Sequence, residues 1–194
     1  MLEGIILAAG QSTRAGVFKP AHLHDGQPLL LHAVDSLAPW CERVIVVSGH
    51  RHREVRAMLK PRRWVHLTLN RDHEQGMFSS VRAGVSVLSR SVRGFFVLPV
   101  DCPWVNASVA SALVDAFNHH DRRRIIVPEH DGRGGHPVLL PAAFRDPIAR
   151  APQDTTLRDV MRDHDPIRLP VDDPSVLRDL DTPDDLQTLN PTDG

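Results

Sequence analysis

The chain has 194 residues, of which 41% are hydrophobic and 24% charged, and its formal net charge is −1. That length suits one domain with a substantial core, and the near-neutral balance excludes a general grip on nucleic acid, which needs a basic surplus. No run approaches the roughly 18 apolar residues of a membrane span, and Cys41 and Cys102 form neither a disulfide framework nor a metal-ligand spacing.

In chain order, short apolar runs predict strands over 5–8, 44–48, 65–69 and 95–100, each buried on both faces. Helical spacing between them predicts helices over 29–37, 53–59, 79–88 and 108–117. Pro28 suits the first turn of the first helix, and Asn106 suits the cap of the last. Further strands are expected over 124–127 and 137–140, helices over 155–161 and 183–189, and extended chain over 167–171. The β-α-β-α order implies a mostly parallel, three-layer α/β sheet. Ligands of such sheets sit beyond the carboxyl ends of the strands, which singles out segments 9–19, 48–50, 70–80 and 101–103. The short apolar run at the start has no basic leader and leads into a glycine loop, so a cytoplasmic protein is expected.

The loop after the first strand, "LAAGQSTRAGVFKP", carries Gly10, Arg14, Gly16 and Lys19. It is not a dinucleotide fingerprint, because G-x-G-x-x-G spacing is absent, and not a P-loop, because Lys19 lies three residues beyond Gly16 and precedes Pro20. Proline disfavours helical geometry in the residue before it, so Lys19 is expected in extended chain. The glycines admit close backbone approach to a polyphosphate, and Arg14 and Lys19 can balance its charge. A plain surface loop with two incidental cations is the alternative. Lys19 is the more informative because the chain otherwise relies on arginine, Lys60 being its other lysine.

"LAAGQSTRAGVFK" resembles the L-A-A-G-x-S-x-R-x-G-x-x-K signature of nucleotidyltransferases of the molybdopterin cytidylyl- and guanylyltransferase type, and "DGQPLL" the G-x-P-L-L that follows it. "NRDHEQGMFSSVRAG", "LPVDCP", "GGHP" and "LRDLDTPDDL" resemble later motifs of that family in the right order. Ala15 stands where the family often has methionine, and Val100 where many relatives have glycine. The resemblance implies a single Rossmann-like α/β/α nucleotidyltransferase domain with a mostly parallel, mixed sheet over 1–189, residues 190–194 being a flexible tail. It implies transfer of a nucleoside monophosphate, CMP from CTP in first place, to a phosphorylated small molecule, with molybdopterin as leading acceptor and pyrophosphate as product. The alternatives are a GTP-using enzyme, a sugar- or polyol-phosphate nucleotidyltransferase, and a non-catalytic protein that carries or inserts the molybdenum cofactor. A molybdoenzyme or its chaperone is an implied partner; nucleic acid and membrane are not.

The resemblance also distributes roles. Arg14, Lys19 and Asp101 are the expected catalytic residues. Leu7, Ala8, Ala9, Gly10, Gly16, Lys19, Asn70, Gly76 and Ser80 are expected at the nucleotide. Asp101 and Asp181, with Asp179 as substitute, are the expected ligands of Mg2+, an ion that takes one or two carboxylates together with phosphate oxygens. Read from the residues alone, Asp101 at the predicted ligand edge favours a metal over a helix-cap or turn aspartate, whereas the acidic stretch near Asp181 reads as a turn capping the final helix at Thr182. Gly135 and His136 are expected at the acceptor, while a hairpin turn accounts for "DGRGGHP" equally well. Cys102 has no evident activating partner and is expected to pack.

Overall fold

The computed structural model describes residues 1–10, 17–180 and 185. In chain order its elements are β1 (Leu2–Ala8), a small hairpin of β2 (Leu23–His24) and β3 (Gln27–Pro28), α1 (Leu29–Leu37), β4 (Arg43–Ser48), α2 (His52–Met58) and β5 (His66–Leu69). They continue with α3 (Met77–Ser86), β6 (Gly94–Pro99), α4 (Ala107–His119), β7 (Ile126–His130), β8 (Arg133–Gly134) and β9 (Val138–Pro141). The last are α5 (Arg145–Arg150), α6 (Leu157–Arg162) and β10 (Ile167–Pro170).

The strands form one sheet in the order β10-β7-β9-β6-β1-β4-β5, with β8 paired to β7. β1 lies between β4 and β6 and is parallel to both, whereas β9 is antiparallel to β6 and β7. The sheet is therefore mixed and mostly parallel, as the apolar runs imply. Successive side chains of a strand face opposite sides, and each side is covered. Ile6, Val46 and Leu98 pack with Leu30 and Val34 of α1 and Leu113 and Phe117 of α4. Ile5, Ile45 and Val97 pack on the other side with Phe78, Val81 and Val85 of α3 and Ile148 of α5. This is the three-layer α/β/α architecture. Among the described residues no helix is long and apolar enough to cross a membrane.

Most predicted elements fall within two residues of the observed ones. Asn106 caps α4 by accepting from the Ser108 N–H, while Pro28 sits at the cap position before α1 rather than inside its first turn. Three features depart further from expectation. β5 is an edge strand paired to β4, so His66 and Leu69 are exposed and the run is not buried on both faces. The hairpin, β8 and α5 have no apolar periodicity long enough to announce them; α5 carries Pro147 in its first turn, the place where a helix tolerates proline. Lys19 is not in extended chain. It opens a single 3-10 turn, Lys19–Ala21, and Phe18 before it is the extended residue. Ala21 N–H to Phe18 O and His22 N–H to Lys19 O, both 3.0 Å, close that turn, and Pro20 needs no donor there. The helix expected over 183–189 lies outside the described residues, except Asp185, and so do 190–194.

One charged contact ties α1 to the segment after α2. Arg62 donates to Asp35 through Nε at 2.8 Å and Nη2 at 2.7 Å, a bidentate fork. These bonds hold the Asp35 carboxyl below its ordinary range, with burial opposing them. A depressed carboxylate stabilises the fold above its unfolded-state pKa, and that stabilisation is lost as pH falls through the folded value. Both side chains are partly exposed, so solvent screens the pair. Asp35→Asn is expected to lower stability by about 0.5–1 kcal/mol at neutral pH, with the gap to the parent closing below about pH 4. Urea denaturation at pH 7 and pH 3 measures this; an equal gap at both would assign the loss to packing.

Candidate active site

The site forms where the parallel strands end. Val100 N–H donates to Leu7 O and His50 N–H to Ala9 O, both at 3.1 Å, so the segments after β6, β1 and β4 leave the sheet side by side. Inside the sheet the faces are apolar apart from Glu3, which pairs with Arg43 at the opposite end, so the charged groups of the site collect at this edge. Lys19 is placed there by its 3-10 turn, with its side chain 8% exposed, and its Nζ lies 3.2 Å from Asp101 Oδ2. A buried ammonium costs several kcal/mol unless an opposite charge stands beside it, and Asp101, just past β6, provides that charge.

The C-terminal segment closes over this edge. His136 N–H donates to Val176 O at 2.8 Å and Leu180 N–H to Asp101 O at 3.0 Å. Leu180 is fully buried against Leu29, with Trp104 packed beside them, and the guanidinium of Arg178 lies 5.6 Å from the Trp104 ring centre. Held at both points, the strap carries Asp179 to the same cleft as Asp101. Gly135 is required for its path: a Cβ there would stand 2.1 Å from Val176 O.

Two clefts meet at the strand ends. The smaller, about 380 Å³, is lined by Leu7, Ala8, Ala9, Gly10, Lys19, His73, Gly76, Ser80, Asp101, Asp179 and neighbours. The larger, about 1150 Å³, has an apolar floor of Phe78, Val81, Val97, Val127 and Val138, and a rim that includes Gln153, Thr155, Arg158 and Arg168. Leu7, Gly76, Met77, Pro99 and His136 line both. Gly76 has φ +92°, a conformation that glycine adopts without strain, and it opens α3 there.

His136 stands at the junction. Its Nδ1 is buried with no hydrogen-bond partner among the described residues. Burial pulls the imidazole below its ordinary value; the carboxylates of Asp101 and Asp179 and a hydrogen bond to the Val97 backbone oppose that shift. The ring is thus neutral near pH 7. The hairpin reading of "DGRGGHP" holds: Asp131 and Gly132, at positive φ, turn β7 into β8, and His136 beyond them lines both clefts.

Among the described residues the expected ones converge with one exception. Leu7, Ala8, Ala9, Gly10, Lys19, Gly76, Ser80, Asp101, Asp179 and His136 line the smaller cleft, and Gly135 the larger. Asn70 lines neither. Its Nδ2 donates to Ser79 at 2.8 Å and Ser80 at 3.0 Å, its Oδ1 accepts from Asp72 N–H at 2.9 Å, and so it braces the turn into α3 from behind. Arg14, Gly16 and Asp181 lie outside the described residues. Sequence reasoning missed His73, Met77 and the rim from Gln153 to Arg158. His73 and Met77 fall within the quoted "NRDHEQGMFSSVRAG", which could have singled them out. The rim's one local signal, Thr156 and Asp159 as a capping box, reports a helix start and no chemistry.

A covered α/β sheet whose strand ends hold a lysine–carboxylate pair in one of two joined clefts can bring two anionic substrates to one point, and this chain is a nucleotidyltransferase. It belongs to the MobA-like NTP transferase domain family, whose model matches residues 4–167. It is 26% identical over 187 residues to the molybdenum cofactor cytidylyltransferase of Escherichia coli strain K12, covering 96% of this chain and 94% of that protein. It is 28% identical to a probable molybdenum cofactor guanylyltransferase of Rhodopirellula baltica, over 95% of this chain and 90% of the relative. Its fold superposes with a TM-score of 0.79 on Rv0371c of Mycobacterium tuberculosis in complex with manganese, at 21% identity and over 98% of both chains.

Gly135→Ala tests the strap. The added methyl must displace Val176 O, and with it the path that delivers Asp179. Stability is expected to fall by about 1–3 kcal/mol, together with a loss of transferase activity. Thermal denaturation beside a turnover assay checks both; a parent-like melting temperature would show that the strap does not need this close approach.

Proposed function

We propose that this enzyme transfers CMP from CTP to the phosphate of molybdopterin and releases pyrophosphate. The observation that carries the reading is the pair of joined clefts that meet at His136 and Gly76, the smaller of them holding the Lys19–Asp101 pair. The smaller cleft takes the triphosphate, with Gly10 giving close backbone approach and Lys19, with Arg14 earlier in the same motif, balancing the charge of the β- and γ-phosphates. Gly76 and Ser80 face the base. The larger cleft takes the acceptor. Its volume and apolar floor suit a fused-ring body better than a sugar, whose hydroxyls would be left without partners there. Similarity along the whole chain to a cytidylyltransferase supports CTP, and "LAAG" at 7–10 agrees with it.

An oxygen of the acceptor phosphate attacks the α-phosphorus of CTP. The bond from that phosphorus to the bridging oxygen breaks, and pyrophosphate leaves with the electron pair. A phosphate is already a nucleophile, so no general base is needed, and neutral His136 fits a role in lining the junction. The chain's task is positioning and charge balance. Lys19 stands where negative charge accumulates on the leaving group.

Asp101 and Asp179 supply hard oxygen donors to one cleft, and among the described residues no group of three or more His, Cys, Asp or Glu side chains could cage an ion. Such a set fits Mg2+, which favours oxygen donors; Asp101 and Asp179 would hold it, and Asp181, two residues on, is the further candidate ligand. When bound, the ion would supply positive charge to the phosphates.

Purified enzyme with Mg2+, CTP or GTP, and molybdopterin is expected to release pyrophosphate with CTP in preference to GTP. Asp101→Ala is expected to lower that rate roughly 100-fold or more while keeping the circular dichroism spectrum of the folded protein, with a lower melting temperature because buried Lys19 loses the Asp101 charge. Tight binding of molybdopterin without turnover with any triphosphate would favour a carrier protein. Full activity in the variant would remove Asp101 from the mechanism.

A further inference from the structure

The outer wall of the larger cleft, from Gln153 to Thr156, lies between α5 and α6, and Leu157 opens α6 beside it. Few apolar contacts are available to a segment of this composition, yet it borders a chamber of about 1150 Å³. Ile148 and Ala151 before it pack in the same core cluster as α3, and one α3 side chain binds the backbone there. Arg82, half-buried on α3, donates through Nε to Ile148 O at 3.3 Å, and through Nη2 to Ala151 O and to Pro152 O, the last at 3.0 Å. The acceptors are carbonyls at the end of α5 and just beyond it, groups that a helix leaves without internal partners. The same guanidinium lies 5.2 Å from the ring centre of Phe78, one turn earlier on α3, and Phe78 forms part of the chamber floor.

We infer that Arg82 is a positioning residue that sets the width of the acceptor chamber by clamping its outer wall to α3. The inference rests on the reading that the larger cleft receives the acceptor. Arg82 touches neither substrate. It acts through the 148–152 backbone on Gln153, Thr155, Thr156 and Leu157, and through Phe78 on the floor. Because α3 begins at Met77, which lines both clefts, the clamp refers the acceptor wall to the helix that faces the nucleotide. Only a planar fork reaches several carbonyls while stacking on a ring. Lysine keeps the charge but has a single point donor group, so it is not a substitute here.

The test uses the full chain with Arg82→Ala and Arg82→Lys, and Arg82→Gln where the alanine variant does not accumulate. Hydrogen exchange on the ligand-free protein comes first, comparing peptides over 145–157 with peptides over β6. Faster exchange confined to 145–157 in the alanine variant supports the clamp, and unchanged exchange there overturns it whatever the substrates are. Steady-state kinetics with CTP and molybdopterin follow. The KM for molybdopterin is expected to rise roughly tenfold in both variants, with the KM for CTP and kcat within about twofold of the parent. Equal rises in both KM values would make Arg82 a general stability residue and overturn the inference. Loosened 145–157 with a rise in the CTP KM alone would keep the clamp but overturn the assignment of the larger cleft to the acceptor. A parent-like molybdopterin KM in Arg82→Lys would show that charge alone suffices and that the fork is not needed.

Discussion

The structure depends on the covering of β1 on both of its faces. With β4 and β6 beside it and helices above and below, nothing polar can be accommodated along its length except at the ends. Parallel strands all finish on one side, so the loops that leave them converge there, and their charged residues meet without further design. The Lys19–Asp101 contact is the outcome. A lysine buried to that degree needs a neighbouring carboxylate, and the carboxylate is delivered by the adjacent strand rather than by nearby sequence.

The edge is then completed by chain that is distant in sequence. The strap from Val176 to Leu180 is fixed by two backbone hydrogen bonds and one buried leucine, and it adds a second carboxylate to a cleft otherwise lined from Leu7 to His136. Its seat exists because Gly135 has no side chain. On the other flank α3 is a common wall: its first residues face both clefts, and its second turn holds the far side of the larger one. The nucleotide and acceptor subsites thus share scaffolding, and changes in α3 would be felt in both.

Much of this was legible in the residues. Strands over 5–8, 44–48 and 95–100 were readable because burial on both faces forces continuous apolar runs. The site was legible at its motif-bearing points, since Gly10, Lys19, Gly76 and Asp101 fall at strand ends or helix starts. What escaped did so for identifiable reasons. β5 has the apolar character of an interior strand but lies at an edge, and position in a sheet leaves no mark on a short run. Lys19 before proline favours extended chain locally, yet two backbone hydrogen bonds close a turn there. Asn70 sits within a site motif but spends its amide on Ser79 and Ser80, a choice among partners that only spatial neighbours decide.

The sequence by itself therefore determined the α/β class, the order of elements, the edge of the sheet where chemistry would lie, and most of the residues gathered there. These follow from local periodicity and from the rule that parallel strands end together. Tertiary structure alone decided that Asp101 pairs with Lys19, that Val176 crosses Gly135 to bring Asp179 alongside, and that Arg82 fastens a wall more than sixty residues away in the chain. Those contacts join segments whose separation in sequence carries no periodic signal. They exist because burial, charge pairing and backbone hydrogen bonding are satisfied together only once the layers have closed.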